Sequence, residues 1–261
     1  MLRAFSTAAT GMTAQQTMVD VIANNLANVN TSGFKRSQVN FQNLLYVTME
    51  EPGTEIASGI SSPSGIEIGS GVRVASTIKV FSLGELENTA NPLDIAIAGD
   101  GFLQVTLPNG DLRYTRDGSL LTNANGELVT SNGYAIEPAI SVPTDVVSVS
   151  IEKDGGVNIT DSSGSQSVAG TIQLARFPNP SGLSSEGGNL LSETEASGTP
   201  TTGTPGENGF GTIQAGFLEK SNVQMVTELV NLITAQRAYE INSRAIKVGD
   251  DMLRTANGIV R

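Results

Sequence analysis

The sequence contains no cysteine, no histidine and no tryptophan. These absences rule out disulfide bonds, metal sites built on Cys or His, and any nucleophile–base pair that uses either residue. Stability must therefore come from packing or assembly. No apolar run approaches the length of a membrane span, so no membrane insertion is expected. The first residues, MLRAFSTAATGMTAQQ, lack the apolar core and small-residue cleavage site of a secretory leader, and export without a cleaved signal peptide is expected.

Proline and glycine are missing selectively. All ten prolines fall between Pro52 and Pro205. Residues 1–45 hold only Gly11 and Gly33, and residues 222–261 only Gly249 and Gly258. Proline costs about 3 kcal/mol inside a helix, so long helices are confined to the two ends. Charge follows the same division. Residues 1–45 carry three bases against one acid and residues 222–261 five against four, so a net charge of −11 leaves −14 in the middle. An acidic body of this kind does not suit nucleic acid or an anionic membrane as partner.

Both ends show heptad periodicity. Phe5, Met12, Val19 and Leu26 recur every seven residues, with Ala8, Gln15, Ile22 and Val29 as the companion row. Toward the C-terminus Leu218, Met225, Leu232, Tyr239, Ile246, Leu253 and Val260 recur in the same way, and the companion row is mostly small: Ala235, Asn242, Gly249 and Ala256. Narrow apolar seams predict helices that pair as a coiled coil, parallel or antiparallel; the alternative is that each helix covers a face of the central domain. A lone two-helix pair leaves apolar residues uncovered and needs neighbours.

The middle reads as β-structure. Alternating apolar residues flank Asn109-Gly110, Asn125-Gly126, Asn132-Gly133 and Asp154-Gly155, pairs whose tolerance of positive φ makes them hairpin signals. Two stretches rich in Gly, Ser and Pro, residues 50–71 and 178–211, read as extended connections. The fold class is α+β: terminal helices over 1–30 and 222–261, a connecting segment over 31–72 and a β domain over 73–221.

Little in the chain suggests chemistry. Asp100-Gly101, Asp117-Gly118 and Asp154-Gly155 are read as turns, because a Ca²⁺ loop needs a closing acid that the spacing does not supply. The glycine pairs at 69–71 and 99–101 lack a third glycine and a phosphate-binding Lys-Ser/Thr. No catalytic, cofactor-binding or metal-ligating residue is assigned. Lys35-Arg36 is read as a solvated edge or a contact with an acidic neighbouring subunit. In the stretch NNLANVNTSGFK, Asn24, Asn25 and Asn28 are expected to bond neighbouring helices or exposed carbonyls, Asn30 and Gly33 to turn the chain through left-handed conformations, and Phe34 to enter an apolar pocket.

That stretch, together with NPLDIAIAGDGFLQV, YTRDGSLLTNANGELVTSNGY and SNVQMVTELVNLITAQRAYEIN in the same order, resembles the bacterial flagellar rod and hook family over nearly the whole chain. The resemblance implies a self-assembling structural protein of the basal body, exported unfolded by the type III apparatus. It would form a hollow helical tube that crosses the envelope and carries torque to the hook. The partners it implies are further copies of the chain, proximal rod proteins, the hook protein and, in a host with an outer membrane, the P and L rings. Phe5, Met12, Val19, Ile22, Leu26, Leu232, Tyr239, Ile246 and Leu253 would pack between subunits. Rod members carry a segment that hook proteins lack. Tyr46 to about Gly65 resembles it, with Glu50, Glu51, Pro52 and Gly53 at its centre, and is more acidic here than is usual in the family. Two competing classes, an exported cell-wall glycan hydrolase and a monomeric β adhesin, have no motif in their favour.

Overall fold

A computed structural model describes residues 2–53, 55–57, 60–61, 63–143, 146–162 and 164–259. Val260, the last member of the C-terminal seam, lies outside them. The chain divides into two compact units, one of residues 1–26, 37–78 and 225–261, the other of residues 27–36 and 79–224. The segment expected to act as one connection over 31–72 is thus shared between the two.

The first unit holds both long helices. α1 spans Leu2–Ala27 and α2 spans Met225–Ile259. Val29 therefore falls past the end of α1, and Leu218 lies in a strand, Phe217–Glu219, rather than on the C-terminal helix. Thirty-five residues without proline propagate α2, and Glu228 sits in its first turn, where a carboxylate suits the positive end of the helix dipole. Among the described residues three short two-stranded ribbons complete the unit: Ser37–Asn43 pairs with Val72–Lys79, Tyr46–Glu50 pairs antiparallel with Ile66–Gly69, and Glu55–Ala57 pairs antiparallel with Ile60–Ser61. Every residue from Tyr46 to Glu50 is exposed.

The second unit is almost entirely β. Its largest sheet runs, strand by strand, Leu120–Thr122, Leu128–Thr130, Ala135–Glu137, Phe102–Thr106, Leu112–Thr115, Leu190–Ser192 and Ser184–Gly187; Leu174–Arg176 and Thr201–Gly203 join it at its side. Phe102–Thr106 is the central strand and is buried on both faces. Leu103 and Val105 are fully buried, and Leu103 packs with Ile97, Leu120, Leu128, Ile136 and Leu174 in the main core. Phe102 points the other way into a smaller core with Tyr114, Phe177 and Leu191. This is the period-2 alternation of a strand with apolar layers on both sides.

The Asn-Gly pairs behave as the sequence indicates. Gly110, Gly126 and Gly133 have φ of 87°, 82° and 83° between consecutive paired strands, and Gly155 does the same at 86° between Val146–Ile151 and Gly156–Asp161. The other two Asp-Gly pairs are not hairpin turns. Ile95–Ala98 and Phe102–Thr106, on either side of Asp100-Gly101, belong to different sheets, and the strands flanking Asp117-Gly118 are not neighbours in theirs. At Gly118 the requirement is space: a Cβ there would stand 1.8 Å from the Ile95 carbonyl oxygen, to whose residue Gly118 is hydrogen-bonded. The 178–211 stretch, expected to run extended, forms a 3-10 turn and three short strands that extend the main sheet.

Leu103→Ala opens a cavity at the centre of the main core and is expected to cost about 2–5 kcal/mol, read as a lower urea midpoint in the full chain.

Candidate functional site

The stretch that follows α1 is built from side chains that stand in for backbone. Asn25 is buried, its Nδ2 donates to the Ser37 carbonyl at 2.9 Å, and its Oδ1 accepts from the Ser37 N–H at 2.9 Å. The amide thus copies the two-way bonding of a paired strand residue, and it holds the start of the 37–43 strand against the end of the helix. Of the two expected uses, bonding a neighbouring helix or an exposed carbonyl at the helix end, Asn25 makes neither as stated: it bonds the N–H and carbonyl of Ser37, twelve residues on in its own chain. Asn28 takes the turn: its carbonyl accepts from the Thr31 N–H and its Oδ1 from the Thr31 hydroxyl, both at 3.2 Å. Gly33 is left-handed at φ 69°, as expected, whereas Asn30 is not among the positive-φ residues. Gly33 is also a point of close approach, because a Cβ on it would lie 2.7 Å from the backbone of Arg116 and Asp117. Phe34 lies beneath the Lys79 ammonium, 5.8 Å from the ring centroid, within cation–π range.

Lys35 departs most from expectation. It is neither a solvated edge nor free to meet a neighbour, since it is 3 % exposed and ion-paired with Glu219 of the same chain. Glu219, 1 % exposed, accepts on one oxygen from Lys35 and from the Gly84 N–H at 2.9 Å, and on the other from Arg116 Nη1 at 3.1 Å. Its backbone carbonyl accepts from the Gly33 N–H at 2.8 Å. Lys35 Nζ further donates to the Ser82 carbonyl at 2.7 Å, and Arg116 Nη2 to the Gly99 carbonyl at 2.6 Å. Burial pulls the Lys35 pKa below the ordinary lysine value, with the Glu219 carboxylate opposing it. Next to this cluster Asn222 accepts from the Arg36 N–H at 2.8 Å and donates to the Val80 carbonyl at 2.8 Å. The cluster and Asn222 together fasten residues 33–36 to the β unit.

The helical seam residues are less uniformly placed. On α1, Ile22 is buried together with Ala8 and Ala14, while Phe5, Met12, Val19 and Leu26 are half-buried. On α2, Leu232, Ile246 and Leu253 are half-buried and Ala235 is buried, but Tyr239 remains 43 % exposed. Asn242 and Gly249 of the small row face α1. A Cβ on Gly11 would fall 2.8 Å from Asn242 Nδ2, and one on Gly249 would fall 2.8 Å from Phe5 Cε1. Since 11 meets 242 and 5 meets 249, the two helices run antiparallel at these contacts. The sequence reading missed a second row on α2. Val226, Val230, Ile233, Ile241, Val248 and Met252 are each more than half exposed and lie at helical spacing along one side. The spacing of three and four residues was legible, but the 225–232 heptad drew attention away from it.

Three family descriptions match the sequence: the flagella basal body rod protein over residues 5–35, the flagellar hook protein FlgE/F/G D1 domain over 96–159, and the C-terminal part of the flagellar basal body rod FlgEFG protein over 214–259. The flagellar basal-body rod protein FlgG of Borreliella burgdorferi is 46 % identical over 264 residues, covering all of both chains. The chain belongs to the flagellar basal-body rod family. FlgG of Buchnera aphidicola (subsp. Baizongia pistaciae) is 48 % identical over 97 % of this chain and 98 % of its own, and that of Caulobacter vibrioides 44 % over 98 % of each. As a member of this family the chain is a structural subunit of the flagellar rod. Each arm of the buried cluster lies in a different part of the rod sequence: Lys35 ends the N-terminal family segment, Arg116 lies in the D1 segment, and Glu219 lies in the C-terminal one.

Glu219→Gln strands two buried cations and is expected to lower stability by about 3–5 kcal/mol. Lys35→Met is expected to cost less, because Glu219 keeps Arg116 and the Gly84 N–H. Urea unfolding of both variants checks the order, and hydrogen exchange at Gly33–Arg36 is expected to quicken most in Glu219→Gln.

Proposed function

We propose that this rod subunit belongs to the distal rod and self-assembles into a rigid, hollow helical tube that crosses the cell envelope, transmits motor torque to the hook and passes exported subunits through its bore. The exposed apolar row on α2 carries this reading. A soluble helix does not leave six bulky apolar side chains at helical spacing uncovered unless something covers them. Covering each contributes about 1 kcal/mol or more, so repeated contacts along a polymer sum to a firm joint. The antiparallel contacts of α1 and α2 supply the inner row of a coiled coil, and the outer row supplies the seam to the next subunit.

In this reading the nine seam residues from Phe5 to Leu253 pack the arms, and the Asn24–Phe34 stretch is a mechanical joint with no chemistry of its own. The segment from Tyr46 to about Gly65 is the rod-specific element; its exposed Tyr46, Val47 and Met49 support a role in contacts between subunits. Proximal rod proteins lie at one end of the tube and the hook protein at the other, with P and L rings around it where an outer membrane is present. The location is the periplasm-spanning part of the basal body, reached by type III export.

Two substitutions separate the rows. Ile246→Asp on the inner row is expected to abolish assembly and loosen the helices while the β unit stays folded. Val230→Asp, at a position 57 % exposed, is expected to leave monomer stability within about 0.5 kcal/mol and still prevent tube formation. Negative-stain imaging and sedimentation at rising concentration check both. Tubes of ordinary length from Val230→Asp would contradict the outer-seam assignment.

A further inference from the structure

Beside the buried cluster, in the β unit, lies a cavity of about 360 Å³. Phe81, Phe102 and Phe177 wall it, Arg116 and Arg176 supply its cations, and Asp100 stands at its exposed rim. The phenyl rings meet edge to face, with centroids 5.4 Å apart for Phe81–Phe102 and 5.9 Å for Phe102–Phe177, so the wall is packed and fixed. Arg116 is 6 % exposed and its guanidinium lies 5.5 Å from the Phe102 centroid. Two of its nitrogens are bonded, but Nε is buried without an acceptor. A buried donor left unmatched costs stability. Arg176 donates only to the Asn208 and Gly209 carbonyls at 3.3 Å and meets no carboxylate among the described residues. The cavity lining carries Arg116 and Arg176 against Asp100 alone, and the Glu219 that Arg116 contacts is shared with Lys35, so one positive charge is unmatched within a chain whose net charge is −11.

We propose that this cavity receives a glutamate carboxylate from the 45–53 segment of a second copy of this chain. The proposal rests on the polymer reading and names one of its contacts. Charge and shape select the occupant. This segment carries Glu50 at the end of its strand and Glu51 directly after it, next to bulky exposed residues, with Leu45 90 % and Met49 64 % exposed. Its pairing with Ile66–Gly69 shifts register between Thr48 and Glu50. The irregularity breaks strict alternation, so the apolar Met49 and the acidic Glu50 are not forced to opposite faces. A carboxylate between the two guanidinium groups, with an apolar side chain against the phenyl wall, satisfies the unmatched charge and covers exposed apolar surface in one contact.

A labelled peptide of residues 45–53 (LYVTMEEPG), titrated with the full chain at concentrations where it is monomeric and followed by fluorescence anisotropy, tests this. Saturable binding is expected. It should weaken about tenfold or more for Arg176→Glu, for the milder Arg176→Gln, and for a peptide with both glutamates replaced by glutamine. Absence of saturable binding, or equal affinity in all these arms, overturns the proposal. So does displacement of the peptide by free glutarate as readily as by unlabelled peptide, which would make this a small-anion site. The polymer reading is checked separately by imaging the wild-type chain. Tubes without peptide binding remove this contact alone, whereas a chain that never builds tubes removes the polymer reading and this contact with it.

Discussion

One carboxylate holds the first segment of the β unit in order. Glu219 gathers Lys35, Arg116 and the Gly84 N–H around its side chain, and the Gly33 N–H on its backbone. A buried pair of this kind is weak evidence for stability, because desolvation offsets much of the attraction. Its value lies in specificity. Three charges that have left water are matched to each other and to fixed backbone groups, so the segment after α1 has one docking position, and sliding by a residue would strand a cation in the interior. A structural part that carries load needs a defined joint more than a tight one.

The two helices meet a different requirement. Small residues on α2, Asn242 and Gly249, let α1 approach closely, and Gly11 does the same from the other side. The large apolar residues are then divided between a half-buried inner row and an exposed outer row. Such an element is incomplete as a monomer and complete only among neighbours, which is how a subunit avoids being most stable alone.

Much of this was legible in the sequence because it is periodic or local. The heptads placed α1 and α2 to within a few residues, and three Asn-Gly pairs with Asp154-Gly155 marked four hairpins through the freedom of glycine at positive φ. What was not legible is non-local. Lys35 looked like a surface charge because its partner lies far along the chain, and neither Arg116 nor Glu219 has a neighbour in sequence that reveals burial. Asp117-Gly118 resembled a turn, although its glycine is required by the Ile95 carbonyl opposite. Tyr239 kept the heptad period but lies near the boundary of the buried face, where the 3.6-residue helix and the 3.5-residue repeat part company. Asn25 gave no advance sign that its amide would act as a strand residue.

Lys35 and Glu219 lie 184 positions apart, and that separation sets a clock. Closing so long a loop is slow relative to local pairing. If the chain emerges from a narrow channel with its N-terminus first, the Lys35 ammonium must wait in water until most of the β unit and the residue that will receive it have followed. The hairpins, each closed over a few residues, form meanwhile. The latch is therefore among the last internal contacts of its unit to close, with the Asn222 bonds just behind it, and its closure reports that the β unit has been delivered.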